Sequence, residues 1–340
     1  MGRPVKGIPR VSVLMPVRDA ADTLGACLRS LQRQSFSDWE CVLVDDGSRD
    51  ASLAVARAAQ ARDPRIRVSA AGRHGIVPAL NRGIDSCRGS LVLRMDADDL
   101  MHRERLSAQW AALEAEPQLA AVGCHVRLFP RRDLRRGSRA YERWLNRMAG
   151  PDDVERDALI ECPLAHPTLA IRRDVLHEYR YRDVPWAEDY DLLLRLLADG
   201  RRLGVVPRRL LLWRHGAERL SRSDPRYALP QFVECKAAFL AQGFLADAPG
   251  YVLWGYGDTG RALRRALARH DRHPAHIVEL HPGRLGQTIH GAPVVAPDAL
   301  RELPRRPLVV SVSGEEPRAQ IRAALAAMDF RELHDFVVAA

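Results

Sequence analysis

The chain has 340 residues, of which 46% are hydrophobic and 28% are charged, as expected for a globular protein of two or three domains. Its formal net charge is +9, and 50 of its 52 basic residues are arginines, since Lys6 and Lys236 are the only lysines. A basic protein suits anionic partners such as nucleotides, diphosphates or the inner face of a membrane.

The six cysteines are scattered and form no C-x-x-C pair, so the sequence indicates neither a zinc cluster nor a disulfide framework. No apolar run reaches the roughly 18 to 20 residues that cross a bilayer, and residues 1–10 lack the apolar core of a signal peptide. We therefore expect a cytoplasmic protein that can reach the inner face of the cell membrane.

Strands alternate with helices in the first part of the chain. Continuous apolar runs predict buried strands, and apolar residues at a spacing of three to four predict helices. The predicted strands are 11–17, 40–48, 66–70, one from Leu91, and 119–129, and the predicted helices are 23–34, 50–62, 76–87 and 103–116. This alternation predicts an α/β fold with a doubly wound, mostly parallel sheet.

A second α/β block follows a less regular middle region, residues 130–235. Residues 250–270 read as a strand, a glycine-rich turn and a helix. We place the domain boundary near residue 245. Residues 1–245 then form the first domain, and residues 246–340 form a second, smaller Rossmann-like α/β domain.

Three carboxylates close the segment "LVLRMDADDL", namely Asp96, Asp98 and Asp99. Such a cluster repels itself, so either a cation or a set of structural hydrogen bonds must stabilise it. The first strand opens into "MPVRDAADTL" instead of the G-x-G-x-x-G loop whose amides bind a pyrophosphate. A bound nucleotide diphosphate would therefore need another positive charge, which Mg²⁺ or Mn²⁺ held by Asp96 and Asp98 would supply.

Three segments together resemble the inverting family 2 glycosyltransferases of the GT-A fold. They are "VSVLMPVRDAADTLGACLRSLQRQSFSDWECVLVDDGSRD", "GIVPALNRGIDSCRGSLVLRMDADD" and "WAEDYDLLLRLLADG", in the family's order and spacing. The resemblance implies a metal-dependent enzyme that moves a sugar from a nucleoside-diphosphate donor. UDP is expected as the nucleotide in preference to GDP or dTDP. The acceptor it implies is a saccharide or a lipid-linked saccharide in bacterial cell-surface polysaccharide or lipopolysaccharide synthesis.

The resemblance also implies donor-binding residues after the first two strands. Pro16, Val17 and Asp19 match the loop that lines the nucleobase pocket, although the family's usual Tyr-Asn pair is Arg-Asp here. Asp46, in "VDDGS", matches the aspartate that hydrogen-bonds the base, and Asp45 lies beside it.

Within the acidic cluster, Asp96 matches a residue near the ribose and Asp98 matches the metal-binding carboxylate. Asp99 is expected to cap a helix or to support the site from behind. His215, in "LWRHGAERLSR", falls where the family often has a histidine that lines the site, and it is a candidate third metal ligand.

Asp189, in "AEDYD", matches the family's catalytic base. Inversion at an anomeric carbon needs a carboxylate that removes the acceptor hydroxyl's proton. On a helix, Asp189 and Asp191 point about 200° apart, so one site cannot use both. Glu188, His166 and Arg214 are candidates for contacts with the acceptor or the diphosphate, or for support of the site. Without the resemblance, an acidic helix start indicates only compensation of the helix dipole.

The second block contains G-x-G-x-x-G at Gly255, Gly257 and Gly260, and Glu279 falls where a ribose-binding acid would stand. No acid, base or nucleophile accompanies the loop, so a complete dehydrogenase is not indicated. Binding of a nucleotide or sugar nucleotide and a scaffold or oligomerisation role both stay open.

Residues 135–150 predict an amphipathic helix with an apolar face and an arginine face. The apolar face holds Tyr141, Trp144, Leu145 and Met148, and the other holds Arg139, Arg143 and Arg147. The helix either covers an edge of the active site or lies on an anionic membrane or a lipid-linked acceptor.

Two alternative functions stay open at this point. A nucleotidyltransferase would also use a doubly wound sheet and metal carboxylates, but it should carry a glycine-rich basic loop after the first strand. A non-catalytic nucleotide-binding scaffold would not need Asp46, Asp96, Asp98 and Asp189 together. We expect no nucleic-acid partner.

Overall fold

An eight-stranded sheet organises the N-terminal part of the protein. The structure is a computed structural model that describes residues 7–216 and 219–340. The strands are β1 (Val11–Val17), β2 (Trp39–Asp45), β3 (Ile66–Ala70), β4 (Leu91–Arg94), β5 (Leu100–Met101), β6 (Leu119–Phe129), β7 (Ala170–Arg172) and β8 (Arg202–Arg214). The helices are α1 (Ala21–Gln32), α2 (Ser52–Arg62), α3 (Ile76–Ser86), α4 (Arg105–Ala115), α5 (Arg136–Leu145), α6 (Pro151–Asp157), α7 (Arg173–Tyr179) and α8 (Glu188–Ala198).

The sheet order is β3-β2-β1-β4-β7-β6-β8-β5. Strands β1 to β4 pair in parallel, β7 runs antiparallel to β4 and β6, and β5 runs antiparallel to β8. Every residue of β1 and β2 is buried, which explains their continuous apolar sequences. The predicted α/β fold with a mostly parallel sheet is confirmed. Because β1, β2 and β4 are parallel, their carboxyl ends meet at one edge of the sheet.

The longest strand, β8, is not predicted from the sequence. Pro207 interrupts it, and a proline normally argues against a central strand. The structure accommodates Pro207 and Arg208 in an irregularity of the β6–β8 ladder, where Cys124 pairs with Val206 but His125 pairs with Arg209. A local bulge therefore allows the strand to continue to the functional edge.

A six-stranded sheet organises the C-terminal part, in the order β11-β12-β10-β9-β13-β14. The strands are β9 (Tyr251–Trp254), β10 (Pro274–Val278), β11 (Thr288–Ile289), β12 (Ala292–Val295), β13 (Leu308–Val310) and β14 (Phe336–Val338). The helices are α9 (Leu220–Ser223), α10 (Leu229–Gln242), α11 (Asp258–Ala268) and α12 (Glu315–Ala326). Apart from the β11–β12 pair, the strands are parallel, as expected for a Rossmann-like block.

Contacts divide the chain into two compact units, and the division does not fall at residue 245. The first unit is Met1–Glu155, Pro163–Val184 and Glu188–Arg219, and the second is Arg156–Cys162, Pro185–Ala187 and Leu220–Ala340. Helix α10 belongs to the second unit because Val233, Ala237 and Leu240 pack into that unit's hydrophobic core. Its buried Lys236 donates from Nζ to the carbonyl oxygen of Ile160, 2.7 Å away. The boundary at 245 stays a prediction, and these contacts favour an earlier one.

A chain truncated after Gln242 should be poorly soluble. The truncation removes every strand of the second sheet but leaves α10, whose Val233, Ala237 and Leu240 lose the core that covers them. We expect aggregates in size-exclusion chromatography, in contrast to the intact chain. A monodisperse truncated chain that still binds nucleotide would restore the boundary at residue 245.

Among the described residues, no helix is long and apolar enough to cross a membrane.

Candidate active site

The acidic cluster after β4 forms a compact group of carboxylates. One oxygen from each of Asp96, Asp98 and Asp99 lies within 4.8 Å of the others. Asp99 is fully buried, and its Oδ2 has no hydrogen-bond partner among the described residues. Burial, and then the negative charge of Asp96, raise the pKa of Asp98 and of Asp99. Three close carboxylates and a buried, unpaired oxygen fit a divalent cation, which prefers oxygen ligands.

Two arginines flank Asp96. Arg94, at the end of β4, is 6% exposed and forms an ion pair from Nη1 to Asp96, while Arg219 Nη2 lies 3.3 Å from Asp96 Oδ2. Burial tends to raise the pKa of Asp96, but the charges of Arg94 and Arg219 outweigh it and the pKa is lowered. Asp96 is therefore the most strongly ionised member of the cluster, which suits a residue close to a cation or a ribose.

The end of β8 holds the acidic loop in place. The backbone N–H of Arg214 donates to Asp99 Oδ1 at 2.6 Å, and its Nε donates to the carbonyl oxygen of Asp98 at 2.7 Å. The expectation that Asp99 caps a helix is wrong, because β5 follows it and α4 begins only at Arg105. Asp99 instead joins β8 to the cluster, in keeping with the support role.

His215 lies beside α5. Its backbone N–H donates to the carbonyl oxygen of Phe129 at 2.7 Å, and its Nε2 lies 3.5 Å from Ser138 Oγ. The carboxylate group that fits a cation consists of Asp96, Asp98 and Asp99 and does not include His215. A role for His215 as a third ligand stays a prediction.

Asp46 follows β2, and its carboxylate is engaged by backbone amides. Its Oδ1 accepts from the N–H groups of His74 at 2.8 Å and Gly75 at 3.0 Å. Gly75 has a φ of +98°, which favours glycine. Asp46 therefore fixes the start of α3. Its neighbour Asp45 is buried and keeps an oxygen, Oδ1, without a partner among the described residues.

The loop after β1 brings its predicted residues to the same edge. Pro16 and Val17 are buried at the end of β1, next to β2. Asp19 has a φ of +48°, and its Oδ1 accepts from the backbone N–H of Arg49 at 2.7 Å. Asp19 therefore connects the loops that follow β1 and β2, and this contact positions the walls of the predicted nucleobase pocket.

Helix α8 presents a second acidic pair at its N-terminus. Burial, and then the negative charge of Glu188, raise the pKa of Asp189 to about 7. Asp189 Oδ1 accepts from the backbone N–H of Tyr190 at 2.8 Å. A carboxyl group with a pKa near neutrality is suited to general-base chemistry.

Asp191 occupies a different environment, as the helical geometry predicts. It is fully buried and pairs with Arg182 at 2.6 Å and with Arg195 at 2.8 Å. These two ion pairs give Asp191 a structural role in the packing of α8.

His166 lies in a buried polar group with Tyr181 and Glu188. His166 Nε2 is 2.7 Å from the Tyr181 hydroxyl, and its Nδ1 is 4.0 Å from Glu188 Oε1. Burial, and then the charge of Arg94, hold the pKa of His166 well below its usual range. The histidine is therefore neutral at physiological pH, and its short hydrogen bond is the one to Tyr181.

Arg94 links the two acidic groups electrostatically, although the sequence did not predict a role for it. Its charge contributes to the pKa of Asp96 and also of Asp189, and its Nε is buried without a hydrogen-bond partner among the described residues. Arg219 and Tyr181 were missed as well. The only local signal was an arginine within the apolar strand "LVLR", where a buried cation implies a nearby anion.

The glycine loop of the second unit is closely packed at two of its three positions. A Cβ on Gly255 would lie 2.5 Å from Val312, and one on Gly260 would lie 2.2 Å from the Gly255 carbonyl oxygen, whereas Gly257 faces open space. Glu279 Oε1 accepts from the backbone N–H of Tyr256 at 2.8 Å and from Arg284 at 3.0 Å. The loop thus uses one of its amides internally.

Comparisons with known proteins agree with this geometry. The family model for glycosyl transferase family 2 matches residues 12–180. The putative glycosyltransferase EpsE of Bacillus subtilis is 30% identical over 200 residues, which covers 57% of this chain and 69% of EpsE. The amylovoran biosynthesis glycosyltransferase AmsE of Erwinia amylovora is 29% identical over 207 residues, or 60% of this chain and 75% of AmsE.

Two groups of solved structures share the fold. Residues 1–349 of Staphylococcus aureus TarS, in complex with UDP-GlcNAc, match with a TM-score of 0.56 at 17% identity, covering 77% of this chain and 72% of that one. The mannosyltransferase PcManGT of Pyrobaculum calidifontis, with GDP-Man and Mn²⁺, matches with a TM-score of 0.52 at 19% identity, covering 97% and 83%. With the sequence matches, these findings decide against the nucleotidyltransferase and scaffold alternatives. The chain belongs to glycosyl transferase family 2 and is a glycosyltransferase.

Proposed function

We propose that this glycosyltransferase is metal-dependent and inverting and uses a nucleoside-diphosphate sugar, UDP being the preferred carrier. The observation that carries the proposal is the pairing of two acidic groups around Arg94. One group, Asp96, Asp98 and Asp99, fits a divalent cation, and the other contains Asp189, whose pKa is about 7. A donor site and a general base are the two elements that an inverting transfer requires.

The donor's nucleoside lies, in this proposal, against the ends of β1 and β2. Pro16, Val17 and Asp19 line the base pocket. Recognition of the base by Asp46 requires this carboxylate to exchange its backbone partners, whereas Asp45 already has an acceptor oxygen without a partner among the described residues. Asp96 approaches the ribose. Among the structural relatives, TarS was solved with UDP-GlcNAc and PcManGT with GDP-Man, which supports a nucleotide sugar as the donor.

Asp98 is the principal candidate for a metal ligand, with Asp96 and the unpaired oxygen of Asp99 beside it. A divalent ion bound there would neutralise the negative charge of the diphosphate leaving group. Mg²⁺ and Mn²⁺ both suit oxygen ligands, and the Mn²⁺ in PcManGT supports this class of ion.

The transfer itself is a single displacement. Asp189 takes the proton of an acceptor hydroxyl, and that oxygen forms a bond to the anomeric carbon. The bond from the anomeric carbon to the phosphate oxygen breaks at the same time, and the nucleoside diphosphate leaves with the electron pair. Arg94 forms an ion pair with Asp96, and its charge acts on Asp189 through space by favouring the ionised form of that carboxyl group.

The acceptor we propose is a saccharide or a lipid-linked saccharide. The relative AmsE is named for amylovoran biosynthesis, and a second relative, RfbC of Myxococcus xanthus, for O-antigen biosynthesis, with 39% identity over 117 residues. These names support a place in bacterial surface polysaccharide synthesis. We propose that the enzyme acts in the cytoplasm at the inner face of the membrane. For the second unit we propose either ligand binding at Gly257 or a part in oligomerisation.

A thermal-stability screen tests the donor. A ligand that binds only the folded state raises the melting temperature by mass action. We expect UDP-sugars with Mn²⁺ to raise the melting temperature of the intact protein. The rise should be smaller when EDTA replaces Mn²⁺. Stabilisation by GDP-sugars alone would show that the donor's carrier is GDP and not UDP. A protein that no nucleotide sugar stabilises or reacts with would contradict the proposal.

A further inference from the structure

The segment 131–147 carries the most concentrated positive charge in the first unit. It contains seven arginines and two carboxylates, which gives it a net charge of +5. Glu142 does not offset the exposed positive charge, because it is buried and accepts hydrogen bonds from the backbone N–H of Leu128 and from Arg131. Asp133 lies outside α5, 3.6 Å from Arg132. The exposed side of α5 is therefore basic, since the one carboxylate of this helix is buried.

The apolar face of α5 is turned inward. Trp144, Leu145 and Met148 are buried, at 8%, 5% and 2% exposure. Tyr141 stacks on Trp144 with ring centroids 5.9 Å apart and also contacts Trp213 of β8. A helix that inserts into a membrane interface needs its apolar residues exposed, so α5 cannot bind a bilayer in that way. Its exposed arginines are the charged groups that remain for an external contact.

The arginines on the outer side are available for such a contact. The side chains of Arg135, Arg136 and Arg143 are exposed, and their guanidinium groups have no ion-pair or hydrogen-bond partner among the described residues. The Arg139 guanidinium donates to the carbonyl oxygens of Leu134 and Arg131, which leaves its charge uncompensated. From Arg136 to Arg143 the helix rises about 10 Å, a longer span than one diphosphate group. Several anionic groups side by side fit this surface better than a single anion does.

Helix α5, which carries the basic surface, packs close to the active site within the first unit. Ser138 Oγ is 3.5 Å from His215 Nε2, and Tyr141 contacts the Trp213 ring. The guanidinium of Arg219 lies 4.7 Å from the centre of the same ring and reaches Asp96. A chain of contacts through Trp213 and Arg219 therefore connects α5 to the acidic cluster.

We propose that the arginine face of α5 docks the protein electrostatically on a bilayer rich in anionic phospholipids, next to the site that accepts a membrane-held substrate. The membrane-held acceptor in this inference rests on the proposed function, whereas the docking itself rests on the exposed arginines. Each arginine near an anionic surface contributes about a fivefold increase in partition. The attraction is screened by salt, as expected for exposed charges.

Vesicle flotation with the intact protein tests the proposal. We expect binding to vesicles of phosphatidylcholine with about 30% phosphatidylglycerol, no binding to phosphatidylcholine alone, and release as salt rises well above about 0.1 M. The triple variant Arg135→Gln, Arg136→Gln, Arg143→Gln should bind on the order of 10²-fold more weakly. The matched control changes three exposed arginines elsewhere in the first unit, Arg33→Gln directly after α1 and Arg57→Gln and Arg62→Gln in α2, and should bind like the wild type.

Donor hydrolysis without vesicles should be the same in all three proteins, because none of these arginines touches the donor site. If the wild type does not hydrolyse the donor, the proposed function is contradicted, but vesicle binding still tests the docking proposal. Equal loss of vesicle binding in both triple variants would show a net-charge effect and overturn the proposal. So would a wild type that ignores anionic vesicles but binds a soluble polyanion through the same arginines.

Discussion

Asp189→Asn should lower turnover by on the order of 10² to 10⁴, the usual contribution of a general base. Asparagine keeps the size and much of the hydrogen bonding but cannot take the acceptor's proton. Donor affinity, measured by calorimetry, should hardly change because the base acts on the acceptor. Intact donor binding with transfer near the wild-type rate would place the base elsewhere, with Glu188 as the first candidate.

The raised pKa of Asp189 gives this variant a second signature, in stability. Since the folded-state pKa is about 7 and the unfolded value is about 4, the folded protein binds the proton more tightly between these values. Stability of the wild type therefore falls as pH rises from about 4 to about 7 through this group. Asp189→Asn should melt at a higher temperature than the wild type at pH 8, and at nearly the same temperature near pH 4. A difference in melting temperature that does not change with pH would show that the fold does not raise the pKa of Asp189.

Two neighbours serve as controls for Asp189. Glu188→Gln removes a negative charge that raises the pKa of Asp189, so the acidic limb of the pH profile for kcat/KM should move to lower pH. Asp191→Asn leaves Arg182 and Arg195 with a neutral partner in a buried position. It should destabilise the fold, while turnover per folded molecule stays close to that of the wild type.

Asp98→Asn should abolish metal-dependent transfer, with a loss of at least about 10³-fold, and should weaken donor binding sharply. Without the cation, the charge of the diphosphate is left uncompensated beside Asp96 and Asp99. Calorimetric titration of Mn²⁺ and of the donor checks both effects separately. Asp22→Asn, the same change at an exposed position of α1, is the matched control and should behave like the wild type.

If Asp98→Asn keeps its donor affinity and turnover and still requires Mn²⁺, then other residues bind the cation. Full activity of the wild type in excess EDTA would instead remove the metal from the mechanism.

The sequence predicts those parts of the site that depend on local patterns. The buried strands β1, β2 and β4 are continuous apolar runs, and the acidic residues follow them directly in "VDDGS" and "MDADD". Parallel pairing then brings these strand ends to one edge of the sheet. The positions of Asp46 and Asp98 relative to the sheet follow from the pattern alone.

The contacts that complete the site depend on tertiary structure and were not predictable in this way. Arg94 is one residue in an apolar strand, and only the fold shows that it pairs with Asp96 and influences Asp189. Asp99 looks like a helix cap in the sequence because its partner, the backbone N–H of Arg214, is 115 residues away. Helix α10 is amphipathic, but amphipathicity does not say which of two cores it covers.

The anomeric configuration of the product tests the central claim most directly. Proton NMR of a transfer from an α-linked nucleoside-diphosphate sugar should show a β-linked product, formed only when a divalent ion is present. The same spectrum should show no transfer product for Asp189→Asn in the same time. An α-linked product, or equal transfer in excess EDTA, would contradict a metal-dependent inverting displacement with Asp189 as the base.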